Sequence, residues 1–126
     1  MTETNSYSIL IAEDDPFLTQ SIHQILAEFN VHYKIVHSGK QVIDEYQNDY
    51  YDMVLMDILL PDITGFETAT KICKSNMHIP IIAFTALEYA EIKNEIADSG
   101  INHYVKKPTS TTELRSLLLN YFIVAA

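Results

Sequence analysis

Ser8-Ile9-Leu10-Ile11-Ala12-Glu13-Asp14-Asp15-Pro16 is the stretch that decides the fold. The apolar run is too short for a buried helix and suits a strand, and the three acids and the proline that follow end it. Asp15 is placed to cap a helix whose first residue is Pro16, where a missing N–H costs nothing. Ile22, Ile25, Leu26 and Phe29 then fall on one helical stripe. Strand, acidic turn and amphipathic helix therefore make one βα unit, and the same unit recurs along the chain.

Further strands are expected at residues 31–37, 52–57, 80–85 and 102–106, after a first one at 8–13. The second helix, 39–48, turns Val42, Ile43 and Tyr46 inward behind a Ser38 cap, and a third follows Gly65, which lets the loop turn tightly. The fourth, 87–99, stops at Gly100 in a left-handed C′ position, and the fifth occupies 110–122. Strands alternating with helices of this length call for a parallel sheet covered on both faces, an α/β doubly wound (βα)5 architecture. Periodicity leaves the strand order open.

The 126 residues fit one domain, 1–126, with residues 1–7 expected to be a flexible N-terminal segment. A hydrophobic content of 48% argues against disorder. No apolar run nears the roughly 20 residues of a membrane span, and the polar start lacks a signal-peptide shape, so a cytoplasmic protein with no membrane partner is expected. The lone Cys73 cannot form an internal disulfide and reads as a small core filler. Eight Lys and Arg against 17 Asp and Glu leave a formal charge of −9, which disfavours direct nucleic-acid binding.

Ligands of open parallel sheets bind outside the carboxyl ends of the strands, and there the polar residues gather. The first strand ends in Glu13, Asp14 and Asp15, the third in Asp57, the fourth in Thr85, and the fifth in Lys106, Lys107 and Pro108. Carboxylates crowded at one rim raise each other's pKa unless a cation separates them. Oxygen ligands without His or Cys in ligand spacing favour Mg²⁺ over Zn²⁺. A lysine and a hydroxyl facing such a site suit a phosphoryl group, whose charge they offset.

Four motifs, in order and covering almost the whole chain, closely resemble the response-regulator receiver family. They are Ile9-Leu-Ile-Ala-Glu-Asp-Asp-Pro16, Met56-Asp-Ile-Leu-Leu-Pro-Asp-Ile-Thr-Gly65, Phe84-Thr-Ala86 and Tyr104-Val-Lys-Lys-Pro108. The resemblance implies a flavodoxin-like three-layer fold of sheet order 2-1-3-4-5. It implies a two-component signalling switch rather than a turnover enzyme, with Asp57 as phosphoacceptor from a histidine kinase or histidine phosphotransfer protein. Glu13, Asp14, Asp57 and the backbone carbonyl of Leu59 would hold Mg²⁺, for which Mn²⁺ can substitute. Lys107 would bind a phosphoryl oxygen, its peptide bond to Pro108 being typically cis in the family. Thr85 and Tyr104 would carry the event to the surface of the fourth helix, fifth strand and fifth helix.

Each residue also has a plainer reading. Asp15 is explained as a helix cap and is left out of the metal set; Thr85 alone would be a strand end, Lys107 a solvated charge and Tyr104 a half-buried aromatic. An aspartyl phosphatase would want a second acid where Leu59 stands, and a flavodoxin a Ser/Thr/Gly-rich loop where Glu-Asp-Asp-Pro stands. A receiver-like module that takes no phosphate is the remaining alternative. Leu59 and Leu87 are apolar where relatives can carry polar groups that guide water, so slow self-dephosphorylation is expected. Leu114, Leu117, Leu118 and Tyr121 form the core stripe of the last helix. Leu119, Phe122 and Ile123 extend apolar surface beyond it, which suits a downstream partner or a homodimer.

Overall fold

A computed structural model describes residues 7–29, 31–75, 79–107 and 110–125, with side chains through residue 120. The elements run β1 (Tyr7–Ala12), α1 (Pro16–Leu26), β2 (Val31–Val36), α2 (Gly39–Asn48), β3 (Met53–Met56), α3 (Gly65–Ser75), β4 (Ile81–Thr85), α4 (Tyr89–Ser99), β5 (His103–Lys106) and α5 (Thr111–Ala125). All strand pairs are parallel, in the order β2-β1-β3-β4-β5. The strand alternation shows which helix covers which face. Leu10, Ala12, Val54, Met56, Ile81 and Ala83 pack with Val42, Ala69, Ile72, Ile92 and Ile96, so α2, α3 and α4 share one face. Ile9, Ile11, Met53, Leu55, Ile82 and Phe84 pack with Ile22, Ile25, Leu26, Leu114 and Leu118, which puts α1 and α5 on the other.

The expected flavodoxin-like doubly wound fold is the one observed, with small shifts at element ends. Tyr7, expected in the flexible segment, is instead the first residue of β1 and pairs with Val31. The acids Glu13 and Asp57 stand one residue beyond their strands, because the sheet ladder carries them with one further bond each: Glu13 N–H to Val36 O (3.0 Å) and Asp57 N–H to Ala12 O (3.0 Å). α4 starts at Tyr89, leaving Ala86–Leu87–Glu88 as a turn, and Phe29 packs on the core from beyond α1. The Asp15 side chain accepts the Phe17 N–H as the N-cap of α1, and Gly100 ends α4 at φ +93°, as expected. Tyr121, Phe122 and Ile123 lie in α5, but their side chains are outside the described ones; residues 1–6 and the Lys107–Pro108 peptide are outside the described residues.

Candidate functional site

Register brings the rim together. Ala12 pairs with Met56, Met56 with Ala83, and Thr85 with Lys106, so the residues that follow, Glu13, Asp57 and Lys107, leave the same end of the sheet as Thr85. The order reverses at β1, flanked by β2 and β3. The crevice between β1 and β3 is the switch point at which this architecture places ligands.

Glu13 and Asp57 are buried and Asp14 is exposed; one carboxylate oxygen of each lies within 4.8 Å of the others. Lys107 is held to the fifth strand's neighbour by its N–H on Thr85 O (2.8 Å). Its side chain reaches back across the rim, where Nζ donates to Glu13 Oε1 (2.7 Å) and Asp57 Oδ2 (2.9 Å) and lies 5.3 Å from the centre of the Phe84 ring. Burial pushes the Glu13 carboxyl above its ordinary value although Lys107 pulls the other way. For Lys107 burial works against the charge, but the bonds and charges of the two acids prevail and its pKa rises.

The remaining residues support this core. Glu13 Oε2 accepts the Asp15 N–H (3.1 Å), and Asp57 Oδ1 accepts the Leu59 N–H (3.2 Å). Leu59 thus starts the β3–α3 loop beside the acid, its own side chain 57% exposed. Thr85 is fully buried, and its hydroxyl oxygen accepts the Leu87 N–H (3.3 Å). Tyr104 is half-buried; its hydroxyl donates to Leu87 O and its ring meets Tyr89 edge to face, with centres 5.3 Å apart. Lys106 points away from the rim into an ion pair with Glu88. Glu13, Asp14, Asp57 and Lys107 therefore meet in one crevice, Leu59 follows Asp57 beside it, Thr85 ends β4 at the same end of the sheet, and Tyr104 in β5 bonds the β4–α4 turn.

Sequence reading missed two contributors. His37 donates from Nδ1 to the Glu13 carbonyl (2.9 Å), a role fixed by the carbonyl being able only to accept. Asp62, within the second motif, accepts the N–H groups of Gly39 (2.8 Å) and Lys40 (2.9 Å) at the start of α2. Nothing local in sequence flags either, because both partners lie 22 or more residues away. The donor set is all oxygen, compact and acidic, which fits a hard divalent cation with room for water or phosphate.

A (βα)5 sheet with three carboxylates and a lysine at its switch point defines a class, the flavodoxin-like domains with an acidic rim. The chain belongs to the response regulator receiver domain family, whose model matches residues 9–119. It is similar to the two-component response regulator 24 of Arabidopsis thaliana, 29% identical over 114 residues that cover 87% of this chain and 82% of the plant protein. It also resembles the signal transduction histidine-protein kinase BarA of Escherichia coli K12, 28% identical over 90% of this chain but only 13% of the kinase. Among solved structures, the receiver domain of sensor histidine kinase PA1611 from Pseudomonas aeruginosa PAO1, described with a magnesium ion coordinated in its active-site cleft, superposes with a TM-score of 0.80 at 28% identity. The match covers 92% of this chain and 97% of that one. Among the described residues no helix is long and apolar enough to cross a membrane.

Proposed function

We propose that residues 1–126 form one receiver domain that takes a phosphoryl group onto Asp57 from a phosphohistidine of a histidine kinase or histidine phosphotransfer protein. A carboxylate oxygen of Asp57 attacks phosphorus, and the P–N bond to the donor imidazole breaks. That nitrogen keeps the electron pair and takes up a proton, leaving an aspartyl phosphate. The observation that carries this reading is the position of Asp57, at the switch point between the Lys107 ammonium and the carboxylates of Glu13 and Asp14. Lys107, already bound to Asp57, is placed to pair with an oxygen of the incoming group.

Glu13, Asp14, Asp57 and the Leu59 carbonyl would hold Mg²⁺, or Mn²⁺ in its place, and the magnesium in the PA1611 cleft supports that assignment. Bound there, the ion would offset the charge of the phosphoryl oxygens and of the acids that hold it. Thr85 then turns its hydroxyl hydrogen toward the phosphate, and Tyr104 passes the change to the α4–β5–α5 surface, where a downstream protein or a second copy binds. The domain is a switch, not a turnover enzyme.

Intact mass after incubation with a small-molecule phosphodonor tests this, with and without Mg²⁺, for the native chain and Asp57→Asn. One phosphoryl group is expected only when Mg²⁺ and Asp57 are both present. No addition to a folded native chain, beside an active control receiver, would leave a binding module that takes no phosphate.

A further inference from the structure

The first helical amides of α2 lack partners within the helix. Ser38, the N-cap, takes the Gln41 N–H on its hydroxyl (3.2 Å). The Gly39 and Lys40 N–H groups go instead to the two carboxylate oxygens of Asp62, which sits in the loop between β3 and α3. Lys40 is exposed and its amide has water as an alternative, but Gly39 is buried and its N–H relies on Asp62, so the bond pair ties the loop to the helix.

Leu60 packs on the core, and the loop's other main-chain bonds lie near its ends. Leu59 N–H reaches Asp57 Oδ1, while Leu60 N–H (3.1 Å) and Gly65 N–H (2.9 Å) share Ile58 O. Leu59, Pro61, Asp62 and Thr64 are exposed. At the tip, Ile63 and Thr68 close on Gly39 so tightly that a Cβ there would stand 2.5 Å from each. Of the groups assigned to the metal, Glu13 and Asp57 stand one residue beyond strands and are held by ladder bonds, and Asp14 follows Glu13 in the short β1–α1 connection. The Leu59 carbonyl depends on the longer β3–α3 loop.

We propose that Asp62 is a positioning residue for the metal site, clamping the β3–α3 loop to α2 so that the Leu59 carbonyl is held where an ion needs it. The inference rests on the Mg²⁺ assignment made above. The clamp is charge-assisted and sits at the positive end of α2. Slight burial raises the Asp62 carboxyl, but the bonds from Lys40, Ile63 and Gly39 bring it down to about 2. The carboxylate therefore stays ionised, and the clamp intact, throughout the pH range in which the domain would work.

The test is calorimetric titration of Mg²⁺, without phosphodonor, into the native chain, Asp62→Ala, Asp62→Asn and Ser38→Ala. Asp62→Ala should weaken Mg²⁺ binding about 10-fold and Asp62→Asn, which keeps one acceptor oxygen, by less. Ser38→Ala, which uncaps the same helix without freeing the loop, should leave affinity within about twofold of native. Amide exchange at residues 59–64 should quicken in Asp62→Ala and not in Ser38→Ala. If Asp62→Ala fails to fold at the assay temperature, the comparison stands on Asp62→Asn. Native affinity in the Asp62 variants, or equal weakening by Ser38→Ala, overturns the inference alone. A native chain that takes up no Mg²⁺ overturns it together with the metal assignment.

Discussion

Replacing Lys107 by Met removes the cation that Glu13 and Asp57 share, and that lies by the Phe84 ring, while keeping an apolar stem of similar length. Breaking a buried ion pair from one side costs about 3–5 kcal/mol, because the other charge is left uncompensated. Here two acids are stranded, but the Lys107 side chain is 17% exposed and Glu13 is already biased toward holding a proton. We therefore expect a loss of about 2–4 kcal/mol in metal-free buffer near pH 8. For a chain of this length that is a drop of about 8–15 °C in Tm. Far-UV circular dichroism is the suitable probe, since the chain has no Trp. The loss should depend on pH. Without Lys107 the folded-state pKa of Glu13 rises further, and a carboxyl raised above its unfolded value costs stability increasingly as pH climbs through that window. The variant should thus recover part of its deficit by pH 5. Mg²⁺ should stabilise the variant more than the native chain, in which Lys107 competes for the same oxygens. Asp57→Asn, which leaves Lys107 on Glu13 and relieves one crowded charge, should stay within about 1 kcal/mol of native. A Lys107→Met protein as stable as native at pH 8 in chelator, or one whose deficit does not shrink toward pH 5, refutes the reasoning.

A Cβ on Gly65 would stand 2.6 Å from the Asp57 carbonyl oxygen and 2.9 Å from Ile58 Cα, so Gly65→Ala must displace the backbone of Asp57, the proposed phosphoacceptor; phosphorylation followed by mass should slow about 10- to 100-fold. Gly100→Ala combines a left-handed φ of +93° with a Cβ 2.4 Å from Cys73 Sγ. It should cost about 1–3 kcal/mol by urea unfolding and leave Mg²⁺ affinity unchanged. With Leu59 and Leu87 unable to orient water, the aspartyl phosphate should persist for minutes or longer after the donor is removed, and loss within seconds would contradict the assignment.

The fold was legible because the central strands β1, β3 and β4 are short apolar runs ended by polar chemistry, and the rim was legible because those endings are where a parallel sheet exposes side chains. What the sequence could not show is which charges meet. Lys107 follows β5 as one of two adjacent lysines, and only register and the turn beyond Thr85 decide that it reaches Glu13 and Asp57 while Lys106 turns to Glu88. Two helix starts also carry caps that can be read from sequence spacing. Thr64 accepts the Glu67 N–H (3.1 Å), and Ser110 and Glu113 bond each other's backbone N–H reciprocally (3.0 Å each). His37 and Asp62 had no such signal, because their bonds close gaps between elements that the topology, not local spacing, brings together.

The β4–α4 turn shows how the proposed switch could be both held and released. Leu87 is fixed through both polar groups of its main chain: its N–H reaches Thr85 Oγ1 at 3.3 Å, a long bond, and its carbonyl accepts the Tyr104 hydroxyl. Glu88, the N-cap of α4, makes no side-chain cap bond, and its carboxylate is drawn to Lys106. The turn is thus tied to β5 at two points and to Thr85 at one weaker point. A hydroxyl can donate and accept at once, so Thr85 can offer its hydrogen to a phosphate while still holding Leu87. Any shift it makes toward the phosphate pulls on that one residue, and through its carbonyl on Tyr104, whose ring leans on Tyr89 at the first turn of α4. In the proposed switch the signal therefore needs no long path: a single residue joins the buried hydroxyl to the aromatic pair at the surface.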